Sequence, residues 1–205
     1  MKLKKKTFEI PFIGYDYGSD NEWNFDVLIG QFGNPIIGIQ IKNNVQQYSA
    51  DPDAYLQFHA VLNQVVAIIG ENHIVQKIDI FSRQKYVAEQ STEFLQDKYS
   101  KHFDGRLFKT IDTLLLFTDI VDQNNKKNTY KYSAKSYKVL RDKCLKIFML
   151  LSQHECDPQF LKEKDFDYYI NGVLTMNFSK IPSFNNIKAG SDHLIIGTQF
   201  VKTIS

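Results

Sequence analysis

A helix with both ends written into the chain lies between strand-like runs, and this limits the fold more than any other feature of the sequence. Asp51 stands where an N-cap side chain accepts a backbone hydrogen bond, Pro52 follows at the first helical position, and Asp53 suits the positive end of the helix dipole. Tyr55, Phe58, Leu62, Val65 and Ile69 recur at three-to-four spacing as far as Gly70, a residue able to end the helix. Before it, FDVLIG and PIIGIQIK flank Gln31-Phe32-Gly33-Asn34, apolar runs joined by turn residues that predict a hairpin. After it, IVQKIDIFSRQKY alternates, with Ile74, Ile78 and Ile80 on one side and Val75, Lys77, Asp79, Phe81 and Arg83 on the other.

The remaining elements extend this order. A second helix begins near Ser91, carries Phe94, Leu95 and Tyr99 on one face, and stops at Gly105, before a central strand IDTLLLFTDI. The polar run DQNNKKNTYKYS, residues 122–133, reads as a long exposed loop too poor in apolar residues to order itself. From Ser133 a further amphipathic helix carries Tyr137, Leu140, Cys144, Ile147, Phe148 and Leu151. Asp157-Pro158 then opens a helical insertion near 157–178, weakened at Gly172, and HLIIGTQFVKT is expected to close the sheet. Strand, helix, strand, strand, helix, strand is the ferredoxin-like split βαβ pattern. The expected fold is therefore α+β with an antiparallel sheet, an extra N-terminal hairpin strand and inserted helices. Residues 1–24 read as an N-terminal arm and 25–205 as a single domain.

Composition agrees with one packed core, since the 205 residues are 43% hydrophobic and 14% aromatic. Lys and Arg total 25 against 23 for Asp and Glu, and a net charge of +2 supplies no general drive toward nucleic acid or anionic lipid. The one local excess is Lys2, Lys4, Lys5 and Lys6, but Glu9 and Pro11 interrupt the chain before an export signal's apolar segment develops. That tail reads first as solvated, and its sharper reading is a membrane-proximal contact with anionic lipid. The apolar run Val65 to Ile69 is far shorter than the about 20 residues that span a bilayer. Two cysteines, Cys144 and Cys156, without C-x-x-C spacing suit a reducing compartment, so the chain is read as cytoplasmic.

Each kind of chemical site requires its own residue spacing. A P-loop needs backbone amides and a Lys around the phosphates, and Lys109-Thr110 and Lys202-Thr203 lack the preceding glycines. No G-x-S-x-G elbow accompanies His59, His73, His102, His154 or His193. Cys144, His154 and Cys156 offer zinc-compatible atoms in no ligand motif, and read more simply as a partly buried thiol and a helix-end histidine. Asp16, Asp20 and Glu22 suggest a calcium loop but lack its glycine position and closing Glu. KTIDTLLLFT lacks the glycine-aromatic pattern of a sheet that stacks RNA bases. No catalytic, cofactor-binding or metal residue is assigned.

The run from Gln76 to Thr118 resembles the amino-terminal domain of TraG-type conjugation ATPases of conjugative transposons, relatives of the VirB-class ATPase of type IV secretion. The elements that carry the likeness are QKIDIF, Tyr86, Phe94-Leu95, Tyr99, HFDGR at 102–106 and LLLFT at 114–118. Upstream, GNPIIGIQIKN and DAYLQFH are similar to that family's first strand pair and first helix. The resemblance implies that a nucleotide-hydrolysing motor, with its ATP and Mg, lies beyond residue 205. This chain would then be a front domain without catalysis, docking on other secretion-channel components, assembling through the full-length protein, and not contacting nucleic acid directly. It also implies a place at the inner face of the inner membrane. A stand-alone ferredoxin-like protein- or nucleic-acid-binding module is the alternative.

The face formed by Val75, Lys77, Asp79, Phe81 and Arg83 is the candidate contact surface. Alternating charges are what the wet side of an antiparallel strand normally shows. Val75 and Phe81 on the same face keep a partner or a packed insertion in play.

Overall fold

The computed structural model describes residues 12–17, 25–42, 51–88, 93–120, 134–175, 178, 187–190, 193–196 and 199–201. Lys2, Lys4, Lys5 and Lys6, Asp20, Glu22 and the loop 122–133 lie outside them.

The predicted hairpin is formed by β2 (Asp26–Gly30) and β3 (Pro35–Ile41). Its turn closes through Gly33 N–H to Gly30 O at 2.8 Å, with Gly33 at φ 75°, a conformation that costs glycine little. Asn34 Nδ2 ties the turn to Thr118 Oγ1 at 2.8 Å. Part of the expected N-terminal arm joins the sheet, because β1 (Phe12–Tyr17) pairs antiparallel with β2.

The first helix, α1, runs Pro52–Ile69, and Asp51 caps it by accepting from Asp53 N–H at 2.9 Å. Then come β4 (His73–Lys85), α2 (Phe94–Phe103), β5 (Leu107–Asp119) and α3 (Ala134–Gln153). The closing strand is not the one the sequence suggests. The strand that completes the split βαβ order is β6 (Gln159–Phe160), which pairs with Ile39 and Gln40 of β3. Residues of HLIIGTQFVKT instead form β8 (Leu194–Ile196) and β9 (Gln199–Val201) of a separate sheet with β7 (Ile187–Ala189). The helix after β6, α4, is Glu163–Thr175, shorter than the expected insertion, and it runs through Gly172. A Cβ at Gly172 would lie 2.2 Å from the Phe178 ring, so the glycine makes room for that aromatic to fold back on the helix.

Four strands thus lie in the order β6-β3-β5-β4, all antiparallel, with β2 and β1 continuing the sheet beside the other half of β3. This is a mixed α+β fold with the ferredoxin-like strand order. The period of two in β3 sends Ile37, Ile39 and Ile41 to one face, where Leu115 and Phe117 of β5 join them. There they meet Val61, Val65 and Ile69 of α1 and Leu140, Cys144, Ile147 and Leu151 of α3. On the opposite face Leu28, Ile80, Leu114 and Leu161 pack with Phe166 and Tyr169 of α4. Gly38 permits that second layer, since a Cβ there would sit 2.5 Å from Leu161 Cδ1.

Candidate docking surface

The two sides of β5 are unequal. β4 pairs with it at every position from His73↔Asp119 to Lys85↔Leu107, whereas β3 pairs only with Thr113 to Thr118. Among the described residues, Ile80–Lys85 and Leu107–Asp112 therefore continue past the three-stranded region as a two-stranded ribbon, and β4 is a sheet edge.

Helix α2 fastens the far end of this ribbon. Tyr86 N–H donates to Arg106 O at 2.9 Å, Gly105 N–H donates to Tyr86 O at 2.8 Å, and Ala88 N–H reaches Asp104 Oδ1 at 3.1 Å. Tyr86 Oη meets Ser100 Oγ at 3.3 Å, and Ser100 is the buried residue of α2. That choice of inward residue decides the rest of the helix. With Ser100 turned in, Phe94, Leu95 and Tyr99 are turned out, and Leu95 is 80% exposed. Val87, Leu107 and Phe81 are likewise exposed, so the distal ribbon carries apolar side chains on its outer surface. Lys98 lies 5.5 Å from the centre of the Phe94 ring, and Arg106 lies 5.1 Å from that of Phe103.

The five residues of the expected contact face have three different surroundings. Val75 is half-buried and packs on the core beneath α1 and α3. Lys77 pairs with Asp79, and Thr113 Oγ1 donates to Asp79 Oδ1 at 2.7 Å across the strand pair. Burial works to raise the Asp79 carboxyl, but the hydrogen bonds from Lys77 and Thr113 and the Lys77 charge outweigh it and hold the group below its usual range. Phe81 and Arg83 are outward, and on the same face β5 places Ile111 opposite Phe81 and Lys109 opposite Arg83.

Sequence reasoning missed Lys85, Leu107 and Lys109 as members of this face. Lys85 continues the alternation two residues beyond Arg83, whereas Leu107 and Lys109 join the face only through the cross-strand register, which no local pattern in the chain specifies. On the other face of the ribbon, burial pushes the Asp112 carboxyl up, and Ser82 and Thr110 hydroxyls lie 2.6 Å apart.

The cysteines belong to the core rather than to a reactive site. Cys144 is fully buried, more so than its expected partial burial, and that burial pushes its thiol up. Cys156 is also buried, while His154 is exposed at the end of α3. Among the described residues no group of three or more His, Cys, Asp and Glu side chains is placed to hold a metal ion, and no helix is long and apolar enough to cross a membrane.

No family model matches the sequence, and no curated protein or solved structure matches it. The ferredoxin-like description therefore rests on the strand order and helix placement themselves.

Proposed function

We propose that this chain is a non-catalytic assembly and docking domain of a conjugative transfer ATPase, with the motor and its ATP and Mg beyond residue 205. The observation that carries the reading is apolar exposure on both sides of the distal ribbon: Phe81 and Leu107 stand exposed on one face, and Phe94, Leu95 and Tyr99 on the outer side of α2, which meets the other face through Tyr86 and Ser100. A core domain gains nothing from that exposure, whereas a docking domain buries it against a neighbour. The same segment, Gln76 to Thr118, holds most of the elements that resemble the TraG-type front domain. Other secretion-channel components are the expected partners, with self-assembly through the full-length protein. The Lys2, Lys4, Lys5 and Lys6 tail adds a peripheral contact with the inner face of the membrane.

The test is to extend the chain into its downstream reading frame and compare both forms for ATP turnover and for size by light scattering. Turnover only in the long form, with assembly that depends on residues 1–205, supports the reading. A reading frame ending at Ser205, or assembly indifferent to these residues, overturns it in favour of a stand-alone binding module.

A further inference from the structure

We propose that the free edge of β4 from Asp79 to Lys85 captures an extended acidic segment of a partner protein as an added strand. Its carboxylates would meet Arg83 and Lys85, with Lys109 of β5 adding its charge from behind Arg83. The inference rests on the docking reading above and gives the partner a chemistry.

The backbone supplies the first half of the site. Tyr86 points its N–H and C=O inward, toward Arg106 and Gly105 of the hairpin. Backbone groups alternate in direction along an antiparallel ladder, and the β4–β5 register runs without a shift from position 73 to 85. Counting back from Tyr86, the odd residues Asp79, Phe81, Arg83 and Lys85 aim their N–H and C=O at the open edge. Neither glycine nor proline interrupts β4, so the edge is regular enough to accept a strand.

Charge supplies the second half. Arg83 and Lys109 are directly opposed in the ladder, and Lys85 follows two residues after Arg83 on the same face. Like charges placed directly opposite each other are destabilising, so an anionic strand across them relieves a repulsion as well as forming new pairs. Among the described residues none of these three cations is in an ion pair. Asp79, the acid that β4 places on this face, is already engaged by Lys77 and Thr113. A second copy of the chain would bring the same unpaired cations to the edge, which disfavours self-pairing and favours an acidic guest.

The register also sets a pattern for that guest. Side chains alternate across an added strand, so those on this face meet Phe81, Arg83 and Lys85 in turn. An apolar residue followed by two acids at alternate positions, in either chain direction, satisfies all three. Phe81, 71% exposed, is the apolar anchor.

The probe is a fluorescein-labelled peptide of about ten residues, alternating Thr with a Val-Glu-Glu repeat, titrated against the whole 205-residue chain. Its counterpart carries Lys in place of Glu. Expected are binding of the acidic peptide only, weakening by about tenfold or more in Arg83→Glu/Lys109→Glu, and slower hydrogen exchange at the Phe81, Arg83 and Lys85 amides. The affinity of the unmutated chain should also fall with added salt, a readout independent of whether the double variant folds. No binding up to millimolar peptide overturns the proposal, as does protection confined to other strands. Tighter capture of a single-stranded oligonucleotide or of phosphatidylserine vesicles through the same cations overturns it in favour of those ligands. Self-association through β4, seen by sedimentation, overturns it in favour of a second copy. Each of these results leaves the motor-extension experiment free to succeed or fail separately.

Discussion

Thr113 Oγ1 donates a 2.7 Å hydrogen bond to Asp79 Oδ1 at the place where β3 stops and the two-stranded ribbon begins. Thr113 is buried, and it is the β5 residue facing Ile41, the last paired residue of β3. The pair closes the packed sheet on one side and roots the ribbon on the other. Because the Asp79 carboxyl is held below its ordinary range in the folded chain, it contributes stability above the unfolded value, and that contribution is lost as the pH falls through the folded value. Asp79→Asn should lower the urea midpoint at about pH 7, and the difference from the parent chain should shrink as the pH falls below the ordinary carboxylate range. A difference that persists unchanged in acid would assign the Asn effect to something other than the ionised carboxylate.

Lys143 Nζ donates to Ile69 O at 2.6 Å and so joins α3 to the last turn of α1. A cation at a helix C-terminus meets the negative end of the dipole and an orphan carbonyl together. Lys143→Met keeps the apolar stem and removes the donor. The expected cost is about 1–2 kcal/mol in chemical denaturation.

Asn171 is wholly buried in α4, and among the described residues neither end of its side-chain amide has a hydrogen-bond partner. An unpaired buried amide carries its desolvation cost without compensation. Asn171→Leu should raise the thermal midpoint, by an amount equivalent to about 1 kcal/mol. A fall in the midpoint would show that the amide is solvated by a water in the intact protein.

Phe94 and Leu95 contribute outward surface on α2 and little core. Replacing both with Ser should change the stability of this chain by no more than about 0.5 kcal/mol. In the motor-extended protein the same double substitution should reduce assembly measured by light scattering. Loss of folding in the short chain would instead mean that these side chains hold the ribbon together.

Much of the helical layer was legible from local patterns. Asp51, Pro52 and Gly70 bound α1 because capping and helix termination involve neighbours a few residues apart. Leu140, Cys144, Ile147 and Leu151 repeat at helical spacing, and all four are buried in α3. The site was legible in part. Phe81 and Arg83 stood out by alternation, but their company did not, because Lys109 is brought opposite Arg83 by pairing between segments separated by a helix.

The sequence by itself determined where the hairpin turns, where α1 begins and ends, and which residues alternate along β4, since each depends on backbone preferences and periodicity within one segment. Only the tertiary structure decided which strand closes the sheet, which face of α2 looks outward, and where β4 outruns its neighbours. Gln159–Phe160 is too short to show a period, and it is extended because Ile39 and Gln40 offer it a ladder. Phe94, Leu95 and Tyr99 are apolar enough for a core, yet Ser100, which meets the Tyr86 hydroxyl, is the residue of α2 that is turned inward, and those three stand exposed. Such outcomes depend on competition between distant surfaces for the same packing space, and the winner is set by the whole fold rather than by any one stretch of chain.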